Sequence, residues 1–504
     1  MEISQLLFEG LKFVFALDTL LILLAGLIFG MIAGSLPGFT SGNACAISLP
    51  LTIGMSNGNA TVLMGAIYAG AQYGGAVPAI LFKVPGTAQA AATALDGYPL
   101  AKQGKADIAL GASIMASSAG TMISAIIAVF VIIPMAKLAL GFGPAEMFLL
   151  ALMGISIISS VVGDDPKKGI LSGALGFLVA AMPADPYFGI PRLTFGAIEL
   201  YDKMPLIPTL IGLFAIPTLL SLSQTEYIVE VSAEEAKKIG SFSRMFDGVM
   251  ATIKRPFNVL MASFIGTFIG AVPGTGAGIA TFISYGWASA WSKDPDSFGK
   301  GNIEGVIASE ASNNGVTGGA MIPTFALGVP GSGTTAIMLS MLTLHGIIPG
   351  PNVVRDHSTM IYGFLITLFL AGFLIIPIGM IYNLGFSKIT TVRSATLVPI
   401  LTVLCLIGAF GERLFIFDMY LLLVFGLLGV FLEVYRYPLI PFLFGIVLGP
   451  IAESSFIQAI SISQNDPKIF FSSTICIIIW IIIVLIFSAP WVVKLYKKRN
   501  GLDL

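Results

Sequence analysis

Apolar residues run through the chain in blocks separated by short polar or Pro-Gly punctuation. The blocks fall at roughly 19–35, 44–56, 60–82, 108–140, 144–160, 168–183, 195–220, 257–272, 278–291, 304–327, 335–348, 359–385, 395–410, 414–434, 437–451 and 470–490. A hydrocarbon core about 30 Å thick takes about 20 apolar residues of helix to cross. Some blocks reach that length; the short ones cluster around Pro-Gly sites. The pattern predicts an all-α polytopic membrane protein, with about twelve transmembrane helices plus re-entrant or broken half-helices. Residues 3–16 read as an amphipathic entry segment and 19–35 as the first full span. The unbroken runs exclude the alternation of a transmembrane β-barrel.

One long polar stretch, "SQTEYIVEVSAEEAKKIGSFSRMFDGVMATIKRPF" at 223–257, interrupts the pattern. It divides the chain into a first half, 1–222, and a second half, 258–504. It carries Lys237, Lys238, Arg244, Lys254 and Arg255, and the C-terminus reads "KLYKKRN". Both are expected on the cytoplasmic side by the positive-inside bias.

The halves repeat. "GSLPGFTSGNA" (34–44) aligns without gaps to "GAVPGTGAGIA" (270–280), so that Pro37, Gly38, Gly42 and Ala44 fall on Pro273, Gly274, Gly278 and Ala280. "GGAVPAILFKVPGTAQAA" (74–91) resembles "GGAMIPTFALGVPGSGTTA" (318–336) with one inserted residue, which brings Val84-Pro85-Gly86 onto Val329-Pro330-Gly331. Interrupted hydrophobic segments at corresponding places in two halves point to the binding site of a secondary transporter, and an inverted repeat is the expected arrangement.

The breaks have a chemistry. Pro and Gly end a helix and leave free N–H groups facing the gap. Small and hydroxyl residues surround them: Thr40, Ser41 and Asn43; Thr87 and Gln89; Thr275; Ser332, Gly333, Thr334 and Thr335. Helix N-termini suit carboxylates, and unwound carbonyls suit a small cation. The expected substrate site therefore comprises Pro37, Gly38, Thr40, Asn43, Lys83, Pro85, Gly86, Thr87, Pro273, Gly274, Thr275, Pro330, Gly331, Ser332, Gly333, Thr334 and Thr335. The bland alternative is that Pro and Gly only kink helices or allow close packing.

"ASEASNNGVTGG" (308–319) places Glu310, Asn313 and Asn314 in an apolar region with no basic neighbour. A carboxylate and two amides offer oxygen atoms to a cation and donors to an anion. With Asn43 they are the candidates for ion coupling, against a hydrogen-bonded interfacial loop as the plainer reading. Lys83 interrupts an apolar run two residues before Pro85; it either snorkels to the interface or faces the site as a fixed cation. Arg192 reads as a headgroup or capping contact.

Composition narrows the field. The chain is 56% hydrophobic and 11% charged, and its net charge of −1 leaves no basic surface for nucleic acid. The mean hydropathy of +0.93 fits a membrane protein. Cys45, Cys405 and Cys476 are isolated, and His345 and His357 are the only histidines, so a metal hydrolase or His-based triad lacks material and no metal or organic cofactor is expected. "GVPGSGTT" has Thr334 where a P-loop needs Lys. Asp164-Asp165 lacks the second acidic cluster that a membrane-embedded transferase requires.

These motifs resemble the large membrane subunit of the tripartite tricarboxylate transporter family. The carrying residues are Gly34–Gly38, "YGGAVPAILFKVPGTAQAAATALDGYPLAKQG", "RLTFG", "FGKGNIEGVIASEASNNGVTGGAMIPTFALGVPGSGTTAIM", "LHGIIPGP", "FDMYLLLVFGLLG" and "LGPIAE". Lys83 stands where that family commonly has Asn, Ser309 where Pro is common and Ser312 where Ala is common. The resemblance implies a multi-pass protein of the bacterial inner membrane that takes up citrate-like carboxylates. It implies a small four-helix membrane subunit and an extracytoplasmic solute-binding protein as partners, with Na+ or H+ as coupling ion rather than ATP. A homodimer is compatible with the same reading. A stand-alone anion channel or carrier is the competing class; an enzyme is not expected.

Overall fold

The computed structural model describes residues 3–36, 39–83, 86–161, 165–183, 190–201, 204–226, 241–273, 276–389, 393–411 and 413–485. Among them are helices and turns and no β-strand. The first half folds as α1 (Ile3–Val14), α2 (Leu17–Gly34), α3 (Ser41–Thr52), α4 (Asn57–Gly74), α5 (Ala76–Phe82), α6 (Ala91–Lys102), α7 (Ala106–Ala139), α8 (Pro144–Val161), α9 (Pro166–Ala180) and α10 (Leu206–Ser223). The second half follows with α11 (Phe242–Ile253), α12 (Pro256–Ala271), α13 (Gly276–Trp291), α14 (Ile303–Leu327), α15 (Gly333–Leu344), α16 (Pro351–Asp356) and α17 (Ser358–Ile389). Then come α18 (Ser394–Gly411), α19 (Ile416–Val434), α20 (Leu439–Ile462) and α21 (Thr474–Leu485).

Seven of these are long and apolar enough to cross a membrane: α2, α7, α10, α17 over Ser358–Gly385, α18, α19 and α20. That is fewer than the apolar blocks suggested, and the difference has a physical cause. Helices α4 and α14 are long enough, but they are rich in Gly, Asn, Thr and Ser because their surroundings are protein. Residues 60–74 of α4 and 305–327 of α14 are all buried.

The chain forms two compact units. The first comprises 1–136 and 207–427, the second 137–206 and 428–504. In the second unit α9 and α20 touch backbone to backbone: a Cβ on Gly176 would lie 2.0 Å from the Phe442 carbonyl oxygen. Arg192 pairs there with Glu453 at 2.5 Å.

In the first unit the element order repeats: α2, break, α3, α4–α5, break, α6, α7 is followed by α12, break, α13, α14, break, α15, α17. The packing repeats with it. Gly30 and Gly34 of α2 sit on the carbonyls of Ile67 and Ala71 in α4, while Gly70 and Gly74 sit on those of Leu27 and Met31. In the second half Gly266 of α12 sits on the Ser312 carbonyl, and Gly315 and Gly319 of α14 sit on Ser263 and Thr267. Close approach of backbones through small residues is the membrane solution to helix packing. These contacts pair Gly70, Gly74 and Gly86 with Gly315, Gly319 and Gly331. The inserted residue inferred from sequence is therefore not needed between the paired glycines and the Pro-Gly break.

Helix α11 lies in the stretch that reads as a polar linker. Met245, Gly248, Val249 and Thr252 are buried while Phe242 and Phe246 are exposed. It crosses α7 where Gly111 meets the Met245 carbonyl and Gly248 meets the Ile108 carbonyl. The intervening charges hide its apolar stripe from a simple hydropathy reading.

Candidate functional site

Two of the half-helices that follow a break, α3 and α15, start on a capping motif. Thr40 caps α3: its Oγ1 accepts from the Asn43 N–H at 3.1 Å, and Asn43 Oδ1 accepts from the Thr40 N–H at 3.2 Å. The Asn43 amide continues outward, donating to Phe214 O at 2.9 Å and Thr218 Oγ1 at 2.8 Å on α10. Ser332 caps α15 in the same way with Thr335, at 3.3 Å and 2.9 Å. Reciprocal caps of this kind satisfy donors that a helix end leaves open.

The two capped ends meet. Ser41 Oγ lies 2.8 Å from Thr334 Oγ1, and Tyr68 Oη of α4 lies 3.3 Å from Ser332 Oγ. At the other end of the same two helices, His345 Nδ1 reaches Asn57 Oδ1 at 3.2 Å, just past the end of α3. Helices α3 and α15 thus run side by side in one direction, one from each half, with their positive ends together.

Elements that follow the other two breaks also pack together. The 3-10 turn Ala88–Ala90 and α6 pack against α13. Asp96 of α6, fully buried, accepts from Tyr285 Oη of α13 and from the N–H groups of Gly301 and Asn302, each at 2.8 Å.

Within each half the breaks touch as well. A Cβ on Gly86 would lie 2.2 Å from the Gly34 carbonyl oxygen, and one on Gly331 would lie 2.7 Å from that of Gly270. Contacts thus join residues flanking the breaks: Gly34 with Gly86, Gly270 with Gly331, Ser41 with Thr334, and the Ala88–Ala90 turn with α13. Of the residues expected there, Thr40, Asn43, Gly86, Thr87, Pro273, Pro330, Gly331, Ser332, Gly333, Thr334 and Thr335 are described; Pro37, Gly38, Pro85, Gly274 and Thr275 lie outside the described residues.

Lys83 is placed differently from its neighbours. It is exposed, ends α5 in the left-handed conformation (φ 60°), and donates its N–H to Pro78 O. Gly328 ends α14 with φ 70° and donates to Pro323 O.

Glu310, Asn313 and Asn314 are fully buried on α14. Ser117 Oγ of α7 donates to Glu310 Oε2 at 2.9 Å, and Thr93 Oγ1 of α6 is bonded to Oε1. Asn313 donates to Gln72 O at 3.0 Å, and Asn314 to Thr121 Oγ1 at 2.9 Å. The side-chain oxygens of Gln72, Asn313, Asn314 and Thr87 are buried with no partner among the described residues. No group of three or more His, Cys, Asp or Glu side chains gathers among the described residues. Sequence reasoning missed Thr93, Asp96, Ser117 and Gln72. Their signal was a polar residue on a helix otherwise given to small or apolar ones.

A helical membrane protein whose two halves repeat the same interrupted helices has a construction met in transporters. Residues 20–444 match the description "Tripartite tricarboxylate transporter TctA family". The chain belongs to that family, whose members are the large subunits of tripartite transport systems. It is 30% identical over 450 residues to an uncharacterized 52.8 kDa protein of the TAR-I ttuC' 3' region of Agrobacterium vitis, covering 89% of this chain and 88% of that one. A second Agrobacterium vitis protein, from the TAR-II ttuC' 3' region, is 31% identical over 210 residues, 42% of this chain and 87% of that one. No solved structure matches significantly.

Proposed function

We propose that this chain is the translocating subunit of a secondary carrier in the bacterial inner membrane that imports tricarboxylates or related carboxylates. The observation that carries the reading is the meeting of two capped helix N-termini, one from each half, at Ser41 and Thr334. Two positive helix ends and a set of small hydroxyls suit a carboxylate better than a cationic or apolar solute. Thr40, Ser332 and Thr335 hold the two ends in shape. The buried, unpartnered Thr87 hydroxyl supplies a further polar group beside the second break.

The antiparallel crossing of α4 and α14 supports an inverted arrangement of the halves. Asn313 meets Gln72, and further along Phe325 packs on Phe364, which lies over Gly65. A buried acidic and amide cluster beside the breaks, around Glu310, supports coupling to a Na+ or H+ gradient in place of ATP. Family membership supports a small membrane subunit and a solute-binding protein as partners.

The test is uptake of a panel of labelled di- and tricarboxylates into liposomes holding the purified chain, with and without the small subunit and binding protein. Saturable accumulation against a gradient, lost when both partners are omitted, is expected. Flux that never saturates or never exceeds equilibrium identifies a channel instead. Replacing Thr334 with Val should raise KM while leaving the protein folded.

A further inference from the structure

The hydrogens around Glu310 can be counted. The carboxyl is fully buried, and among the described residues no Lys, Arg or His side chain bonds to it or pairs with it. A hydroxyl has one hydrogen to give and lone pairs to receive. Ser309 Oγ directs its hydrogen to the carbonyls of Gly305 at 2.8 Å and Val306 at 3.2 Å, which can only accept. Toward Thr93 it therefore offers a lone pair, and the 3.0 Å contact between them takes the Thr93 hydrogen. Thr93 then has none left for Glu310. With Ser309 bonded to its own helix carbonyl, the hydrogen in the Thr93–Glu310 bond comes from the carboxyl.

We propose that Glu310 carries a proton on Oε1, donated to Thr93, and that this site binds H+ rather than Na+. The chain Glu310 to Thr93 to Ser309 to the Gly305 carbonyl then runs in one direction, each bond polarising the next. Ser117 completes it by donating to Oε2. Both carboxyl oxygens are engaged by hydroxyls, and a neutral acid avoids the cost of burying an unpaired charge.

The other ionisable groups on the surrounding helices are Tyr68 and Tyr73 on α4, Asp96, Tyr98 and Lys102 on α6, Asp107 and Lys137 on α7, Tyr285 on α13 and Glu304 at the start of α14. Tyr73 is close enough to interact with Glu310 electrostatically, and Tyr68, Tyr73, Tyr285 and Glu304 each bond to other groups. Asp96 is already held by three donors. Helix α12 carries no ionisable side chain, and its Ser263 and Thr267 hydroxyls bond to Val259 O and Ser263 O.

Loss of the proton turns the Thr93 hydrogen onto Glu310, so that Ser309 either releases Thr93 or gives up its carbonyl bond to donate to it. Thr93 stands at the start of α6, directly after the second break of the first half. Proton occupancy is thereby tied to the seat of a helix at a break. The role of this proton as coupling ion rests on the transporter reading above; its presence on Glu310 does not.

Infrared spectroscopy of the full chain in liposomes distinguishes a carboxylic acid from a carboxylate. At neutral pH the wild type should show a protonated carboxyl band that is missing in Glu310→Gln. Gln keeps the geometry of the neutral acid, donating to Thr93 and accepting from Ser117. Ser309→Ala frees the Thr93 hydrogen and should weaken the band at the same pH. The absence of the band in the wild type, or its loss on adding NaCl at constant pH, overturns the proposal. In liposomes with both partner subunits, a pH gradient without Na+ should drive accumulation of labelled citrate in the wild type and not in Glu310→Gln. Accumulation driven by Na+ alone removes the coupling role. No citrate accumulation under any gradient overturns that role and the transporter reading for citrate together, while the infrared result still decides the proton.

Discussion

Lys83 and Gly328 occupy the same place in the two halves. Each ends its helix with a positive φ, 60° and 70°, and each donates its N–H to a proline five residues back, Pro78 and Pro323. The left-handed conformation costs a residue with a Cβ about 1–2 kcal/mol, and Gly or Asn far less. Lys83 is strained where Gly328 is not. Lys83→Gly and Lys83→Asn should each raise the melting temperature of the purified protein, by about 1 kcal/mol of stability. Gly328→Val should lower it. Unchanged melting in both Lys83 variants would show that the strain is offset by contacts of the exposed side chain.

Asp96 ties α6 to the start of α14 through two backbone N–H groups and the Tyr285 hydroxyl. Hydrogen bonds to a charged group contribute about 1.5–3 kcal/mol each. Asp96→Asn turns one acceptor into a donor facing other donors and should cost more than Tyr285→Phe, which removes a single bond. Thermal unfolding of the two variants and their double mutant measures the coupling. Equal losses for the two single variants would contradict the geometry.

The Ser41–Thr334 contact joins residues nearly three hundred positions apart. A chain carrying Ser41→Cys and Thr334→Cys, with a protease site engineered into 223–257, should run as one band on a denaturing gel after oxidation and cleavage. Two fragments under oxidising conditions would mean that the capped ends do not meet.

Glycines at the backbone seams should tolerate nothing larger. Gly70→Val and Gly319→Val push a side chain onto carbonyls that a Cβ alone would approach to 2.4 Å and 2.2 Å. Overpacking of this kind costs about 1–3 kcal/mol and often more. Gly278→Ala and Gly286→Ala are the controls, since a Cβ at either meets nothing within 4 Å. Yield and melting temperature should separate the two groups.

Much of this was legible in the chain itself. Pro37-Gly38 against Pro273-Gly274, and Pro85-Gly86 against Pro330-Gly331, disclosed both the repeat and the helix breaks, because few other residues can end a helix inside a membrane. Thr40 and Ser332 read as polar residues beside the breaks, and their capping role follows from position. The partners of Glu310 were not legible. Thr93, Ser117 and Gln72 lie on separate helices, and only tertiary packing brings them to α14. Lys83 draws notice in the sequence by its charge within an apolar run; its left-handed backbone angle shows only in the fold. Helix α11 was lost because its buried stripe is only Met245, Val249 and their small neighbours.

The burial of α4 and α14 bears on how the chain is made. A translocon sorts each segment by its own affinity for lipid as it emerges, and neither helix is apolar enough to be retained alone. Each has a more apolar partner with a matched glycine seam that is synthesised first, α2 for α4 and α12 for α14. Synthesis order supplies a chaperone in cis: the earlier helix waits in the membrane, and the later one enters against it instead of against lipid. A mutation that roughens either seam would then act during biogenesis, depleting the protein from the membrane before any question of transport arises.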